Sequence, residues 1–352
     1  MINLDDPKTY ANLDKNKMLS HLQRLPEQCQ QAWEKAKQLT ISAPYRRVNK
    51  VIVAGMGGSA IGGDLAAGLA ALDGLELVVH RDYGLPPNID RNTLIVLASY
   101  SGVTEETLSS YEAALKTPAK KLAITSGGSL KEKATALGIP VLSIDYAAPP
   151  RAALGYGFIG LLGILDNLGL VKDKAADMEE MLSIIKSQTN SLGKDVPLDN
   201  NPAKRLANQF FGRLAVTYGG GFLASVARRW KTQINENSKA WAFYEVLPEL
   251  NHNALVGYEF PAELGAHIFI TILRSPLLNP RIQLRCQITS EILAQRKVPH
   301  QILDGQGQSP LSQMMSLIVL GDYTSYYLAL LYGIDPSPVA VIDYLKGRLA
   351  QI

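Results

Sequence analysis

The chain has 352 residues, of which 47% are hydrophobic and 19% charged, with a formal net charge of +3 and only two cysteines, Cys29 and Cys286. That length suits about two globular domains. So small a net charge gives no electrostatic footprint for nucleic acid, no apolar run reaches the roughly 18 residues that span a bilayer, and the N-terminus lacks a signal peptide's charged start and apolar core. The expected location is the cytoplasm, with neither nucleic acid nor membrane as a partner. The two cysteines stand far apart without a pairing or zinc-like spacing, so they read as buried apolar thiols.

Residues 1–45 read as an N-terminal helical arm of two polar helices separated by Pro26. From Val48 short apolar runs alternate with helical stretches: KVIVAG, a small-residue helix from Ala60, LELVVH, TLIVLA at 93–98, a helix near Glu105–Lys116, KLAIT, a helix near Leu130–Leu137, and VLSI. TLIVLA does not alternate in polarity, which suits a strand buried on both faces. Repeated βα alternation predicts an α/β domain over 46–152 with a mostly parallel sheet of about five strands. Pro149 and Pro150 close it. A helical connector over 153–195 follows, with one or two long helices ending near Ser191. The segment 196–352 repeats the layout: RLAVTYGGG, AHIFITIL, a helix over Arg281–Arg296, HQIL, a helix over Leu311–Leu331, and a proline-led turn into a C-terminal helix. The expectation is two αβα sandwich domains related by a diverged duplication.

Two loops in the first half have the chemistry of an anion site. SYSGVTEET at 99–107 places Ser99, Ser101 and Thr104 directly behind a buried strand and ahead of a helix. The C-terminal edge of a parallel sheet is where ligands bind, and the next helix adds free N–H groups and partial positive charge. A phosphate monoester fits this without a metal or an arginine clamp. GMGGSAIGGD at 55–64 is ambiguous. Gly55, Gly57 and Ala60 match the dinucleotide pattern GxGxxA, with Asp82 about 20 residues on as a ribose acid. Alternatively, Ser59 inside the loop and the hydroxyl loop at the same edge favour a compact phosphorylated ligand.

GMGGSAIGGD followed by SYSGVTEET resembles the sugar isomerase family, built on the SIS domain. PRAALGYGF from residue 150 and RWKTQINENSKAWAFYEVLPELNHN from residue 229 are similar to the bifunctional phosphoglucose/phosphomannose isomerases. This resemblance implies an aldose–ketose isomerase that passes a proton between C1 and C2 of a hexose 6-phosphate through a cis-enediol. It implies that Gly57, Gly58, Ser59, Ser99, Ser101 and Thr104 hold the phosphate and that Glu236 is the base. Asn235 and Asn237 are then expected to hold its carboxylate. Arg151 would stabilise the enediolate, His252 would protonate the ring oxygen from across a homodimer interface, and Lys346 would assist ring opening. No metal or cofactor is called for. His80, His267 and His300 read as ordinary histidines.

Two other readings remain at this point. A non-catalytic SIS-domain sugar-phosphate sensor would share the phosphate loops, but the first 45 residues carry no strongly basic recognition helix and the further catalytic candidates would lack a purpose. A nicotinamide-dependent oxidoreductase would use GMGGSA as its dinucleotide loop.

Overall fold

The computed structural model describes residues 2–349 and 351. Where two N-terminal helices are expected there are three: α1 (Pro7–Leu13), α2 (Met18–Gln23) and α3 (Leu25–Gln38). Aspartates mark the starts of the first two helices. Asp6 accepts from the Lys8 N–H at 2.9 Å, and Asp14 accepts from the Met18 and Leu19 N–H groups at 2.6 and 3.0 Å. Pro26 does not separate helices but lies in the first turn of α3, where a missing N–H costs no intrahelical bond. The apolar face of α3 carries Leu25, Cys29, Ala32 and Ala36, all buried.

The first half then builds β1 (Lys50–Gly55), α4 (Gly57–Ala70), β2 (Glu76–His80), β3 (Thr93–Ala98), α5 (Glu105–Leu115), β4 (Lys120–Thr125), α6 (Gly128–Ala136) and β5 (Val141–Ser143). All five strands are parallel, in the order β2-β1-β3-β4-β5. Every residue of β3 is buried, as its unbroken apolar run requires. The order reverses between β1 and β3, so a crevice opens above their C-terminal ends. Small residues let α4 lie close. A Cβ on Gly62 would stand 2.6 Å from the Gly157 carbonyl carbon, and one on Gly63 would stand 3.0 Å from the Val53 side chain.

Beyond β5 come α7 (Gly160–Asn167), α8 (Ala175–Ser191), α9 (Pro202–Phe210), β6 (Leu214–Gly220), α10 (Ala224–Ser238), β7 (Ala242–Leu247), β8 (Ile268–Arg274), α11 (Pro280–Gln295), β9 (His300–Asp304), α12 (Pro310–Leu331) and α13 (Ala340–Leu349). The second sheet is also parallel but has four strands, ordered β7-β6-β8-β9. That order matches β2-β1-β3-β4 in the first sheet, so the shared layout read from the sequence holds at the level of topology. The glycine turn that ends β6 is closely packed. A Cβ on Gly221 would meet the Leu278 side chain at 2.9 Å, and one on Gly220 would meet Ile282 at 2.8 Å.

Helix α12 corrects the expectation that no segment is long and apolar enough to cross a membrane: its 22 residues are. Yet 94% of its most apolar window is buried inside the protein, which marks a core helix wrapped by α8, α9 and α10. One continuous apolar core runs through both halves, from Leu4 and Leu22 through Phe158 and Trp230 to Leu331. Asp64 on α4 also pairs with Arg228 on α10 at 3.3 Å and with Arg81. Cys29 and Cys286 are both buried, and burial pushes the Cys286 thiol up to about 11.

Candidate active site

The glycine loop at the head of α4 and the hydroxyl loop after β3 meet at the β1/β3 crevice. The Tyr100 N–H donates to Ser59 Oγ at 3.0 Å, which binds the two loops together. Ser99 is buried, and its hydroxyl is spent on the loop's own shape. It donates to Thr104 Oγ1 at 2.8 Å and accepts from the Gly102 N–H at 3.1 Å. Ser99 therefore sets the loop, while Ser59, Thr104 and the exposed Ser101 keep hydroxyl protons to offer. Gly102 has φ +71, and a Cβ there would lie 1.8 Å from the Gly127 carbonyl oxygen, so only glycine closes this turn. No side chain caps the N-terminus of α4, whose first residue, Gly57, has φ +48. The Ser59 and Ala60 N–H groups donate to the Met56 carbonyl at 3.0 and 3.2 Å, while those of Gly57 and Gly58 have no partner among the described residues and can meet an anion.

The same edge carries Arg151. A Cβ on Gly58 would stand 2.9 Å from the Pro150 carbonyl carbon, so α4 begins in close contact with the segment before Arg151. Tyr100 adds a second tie, its hydroxyl accepting from the Ala148 N–H at 2.8 Å. Asp82, the ribose acid of the dinucleotide reading, is turned back onto the Tyr83 N–H at 2.8 Å.

Arg151 is 3% exposed, and two of its three guanidinium nitrogens are committed. Nε donates to Asn237 Oδ1 at 2.7 Å, and Nη2 donates to the Pro336 and Ser337 carbonyls, each at 2.8 Å. That leaves Nη1, which lies 3.5 Å from Glu236 Oε2. Glu236, near the C-terminus of α10, keeps 28% of its side chain exposed, so one face of the carboxylate remains open. Below Arg151 lies a buried ion pair between Arg229 and Asp322, 2.7 Å between Nη2 and Oδ2, and that Nη2 also donates to the Arg151 carbonyl at 3.2 Å. The arginine is thus fixed through both its side chain and its backbone.

The sequence expectation that Asn235 and Asn237 hold the Glu236 carboxylate is wrong. Asn235 Nδ2 donates to the Ala240 carbonyl at 2.8 Å, closing the end of α10. Asn237 holds Arg151 on one side and donates to Ser325 Oγ at 2.9 Å on the other. The asparagine orients the arginine, and the arginine faces the glutamate.

The other two expected residues lie on exposed elements. His252 lies on an exposed turn beyond the far end of β7, and the six residues of that strand span about 20 Å. Lys346 lies on α13, which buries no residue. The sequence reading also passed over two features. TSGGS at 125–129 is a third glycine–serine loop, behind β4, where the Ser126 hydroxyl donates to the Tyr100 carbonyl at 2.6 Å. Lys239 ends α10, and its Nζ donates to the Asn237, Asp335 and Pro336 carbonyls at 3.2, 3.1 and 2.8 Å. Burial, then the charge of Arg151, pulls its ammonium down to about 8. The strand–glycine–serine–helix pattern could have found the first; the second had no sequence signal beyond its place beside Glu236.

Residues 199–349 match the family model described as the bacterial phospho-glucose isomerase C-terminal SIS domain. A bifunctional phosphoglucose/phosphomannose isomerase of Caldicellulosiruptor bescii is 41% identical over 338 residues, which cover 95% of this chain and 99% of the relative. A protein of the same name from Aquifex aeolicus is 38% identical over 322 residues, 91% of this chain and 94% of that one. Among solved structures, a glucose-6-phosphate isomerase like protein from Thermus thermophilus superposes with a TM-score of 0.65 at 22% identity, covering 96% of this chain and 99% of its own. That last likeness speaks for the fold alone.

Proposed function

Because the chain belongs to the bifunctional phosphoglucose/phosphomannose isomerase family, we propose that it interconverts glucose 6-phosphate and mannose 6-phosphate with fructose 6-phosphate, with Glu236 as the base. The observation that carries the residue assignment is the Arg151–Glu236 pair, a carboxylate with an open face beside a guanidinium that has one uncommitted nitrogen.

The substrate phosphate rests on the free N–H groups of α4 and on the hydroxyls of Ser59, Ser101 and Thr104. Ser99 and Gly102 hold that loop in shape. Anchored by this remote group, the open-chain sugar presents C1 and C2 to Glu236. Glu236 takes the proton from C2 of the aldose while negative charge develops on O1. The resulting cis-enediolate lies next to Arg151 Nη1. As Glu236 becomes neutral, that guanidinium loses its carboxylate counter-charge and faces the enediolate instead, which is preorganised electrostatic stabilisation. Return of the proton to C1, with a proton moved from O2 to O1, gives the ketose. Glucose 6-phosphate and mannose 6-phosphate differ only at C2, so both converge on one enediol. A pure sugar-phosphate sensor has no use for this pair.

Ring opening needs a proton for the ring oxygen, which suits a histidine near neutral pH. We assign it to His252 of a second copy of the chain, with Lys346 assisting. Two features support a homodimer: within one copy β7 separates His252 from Glu236, and α13 exposes Val341, Ile342, Tyr344 and Leu345, an apolar face suited to burial against protein. Mixing inactive Glu236→Gln and His252→Asn proteins is expected to restore a fraction of activity, since some mixed dimers carry one intact site. No recovery after verified subunit exchange would overturn the shared site. The reaction itself is tested by a coupled assay from fructose 6-phosphate that scores both aldose products separately. Both are expected; glucose 6-phosphate alone would remove the dual specificity and keep the isomerase.

A further inference from the structure

The turn at Asp335–Ser337 is held by two cations from different parts of the chain. Arg151 Nη2 donates to the Pro336 and Ser337 carbonyls, and Lys239 Nζ donates to those of Asp335 and Pro336, so the Pro336 oxygen accepts from both. Lys239 reaches it because it ends α10 at φ +51, a left-handed conformation that disfavours a side chain and turns this one back beneath the helix end. The turn also begins the segment that leads to α13 and Lys346. It therefore links the arginine beside Glu236 to α13, which has no buried residue.

We propose that Lys239 is a positioning residue for the isomerisation: by clamping the Asp335–Ser337 turn it holds Arg151 at Glu236 and fixes where α13 leaves the body of the protein. This rests on the assignment of Arg151 and Glu236 above. The charged groups facing its ammonium are Arg151 from the segment after β5, Asp335 from the turn itself and Glu236 from α10. Lys239 also lines a cleft of about 530 Å³ with Arg213, whose guanidinium donates to the Gln209 carbonyl. Three N–H donors serve three carbonyls while Lys239 is charged. A neutral amine has only two to give, so its deprotonation, near pH 8, loosens the clamp.

The test compares wild type with Lys239→Met and Lys239→Arg by pH–rate profile and by amide hydrogen exchange over residues 335–349. Wild-type kcat is expected to fall above about pH 8, where the lysine loses its proton. Lys239→Arg is expected to carry that limb at least about one pH unit higher, because a guanidinium keeps its charge. In Lys239→Met, kcat drops about tenfold at pH 7.5, one RT ln 10 step in barrier height. KM for fructose 6-phosphate there stays within threefold, and exchange in 335–349 quickens about tenfold. Wild-type kcat and exchange in Lys239→Met would overturn the proposal. Should that variant not fold, matching alkaline limbs in wild type and Lys239→Arg would overturn it alone. A wild type inactive on every hexose 6-phosphate would instead sink the isomerase reading, and the exchange comparison would still report on the clamp.

Discussion

Glu236→Gln is expected to lower kcat for fructose 6-phosphate isomerisation by about 10²- to 10⁴-fold, the range for loss of a general base, while KM stays within about threefold. The amide keeps the shape of the carboxylate, so packing at the end of α10 is undisturbed and the melting temperature should hardly move. Arg151 loses its ionic neighbour but keeps Asn237 and two carbonyls, so its place is retained. In the proposed site the substrate phosphate is held by α4 and the hydroxyl loop rather than by Glu236, so binding is expected to survive the substitution. Activity within about threefold of wild type would remove Glu236 from the reaction.

The largest stability effect is expected at Asp322→Ala. Asp322 and Arg229 are 3% and 2% exposed and paired at 2.7 and 3.1 Å through two nitrogens. Burial pushes the Asp322 carboxyl up, and Arg229 pulls it back down. Removing the acid leaves a guanidinium in an apolar core whose remaining partner among the described residues is the Arg151 carbonyl, at a cost of about 3–5 kcal/mol for an uncompensated buried charge. Thermal melting is expected to fall by about 4–7 °C for a chain of this length, and activity with it, because Arg229 supports the Arg151 backbone. Replacing both, as Arg229→Met with Asp322→Leu, should recover most of the lost stability, since no charge is then stranded. A single variant that melts with wild type would show that the pair contributes nothing; a double variant no better than the single one would place the cost in packing.

The fold of the first half was legible because its signals are local. β3 is buried from Thr93 to Ala98, and an unalternating apolar run says so directly. The second half was harder. β7, Ala242–Leu247, has burial that mixes exposed and half-buried positions, as an edge strand should, and AFYEVL reads equally well as part of a motif. The cap and proline at Asn201–Pro202 announce α9, with Asn201 Oδ1 accepting from Ala203 and Lys204, yet a short polar helix is easily taken for linker.

At the site, residue types were readable and partners were not. Three hydroxyls behind a buried strand pointed to an anion, but nothing in SYSGVTEET says that Ser99 would spend its hydroxyl on Thr104. NENSK put two asparagines beside a glutamate, and proximity in sequence suggested that they hold it. On a helix, adjacent residues point about 100° apart, so Asn237 faces Arg151 and Ser325 instead. Arg151 and Glu236 are 85 positions apart, and only the packing of α4, α10 and α12 brings them together.

The measurement that bears most directly on the chemistry follows glucose 6-phosphate deuterated at C2 by NMR with wild type and Glu236→Gln. Wild type is expected to move the label to C1 of fructose 6-phosphate or release it to water, and Glu236→Gln to leave it in place. Label leaving C2 in Glu236→Gln at a rate within about threefold of wild type, where a lost general base costs about 10²-fold or more, would contradict proton transfer by Glu236.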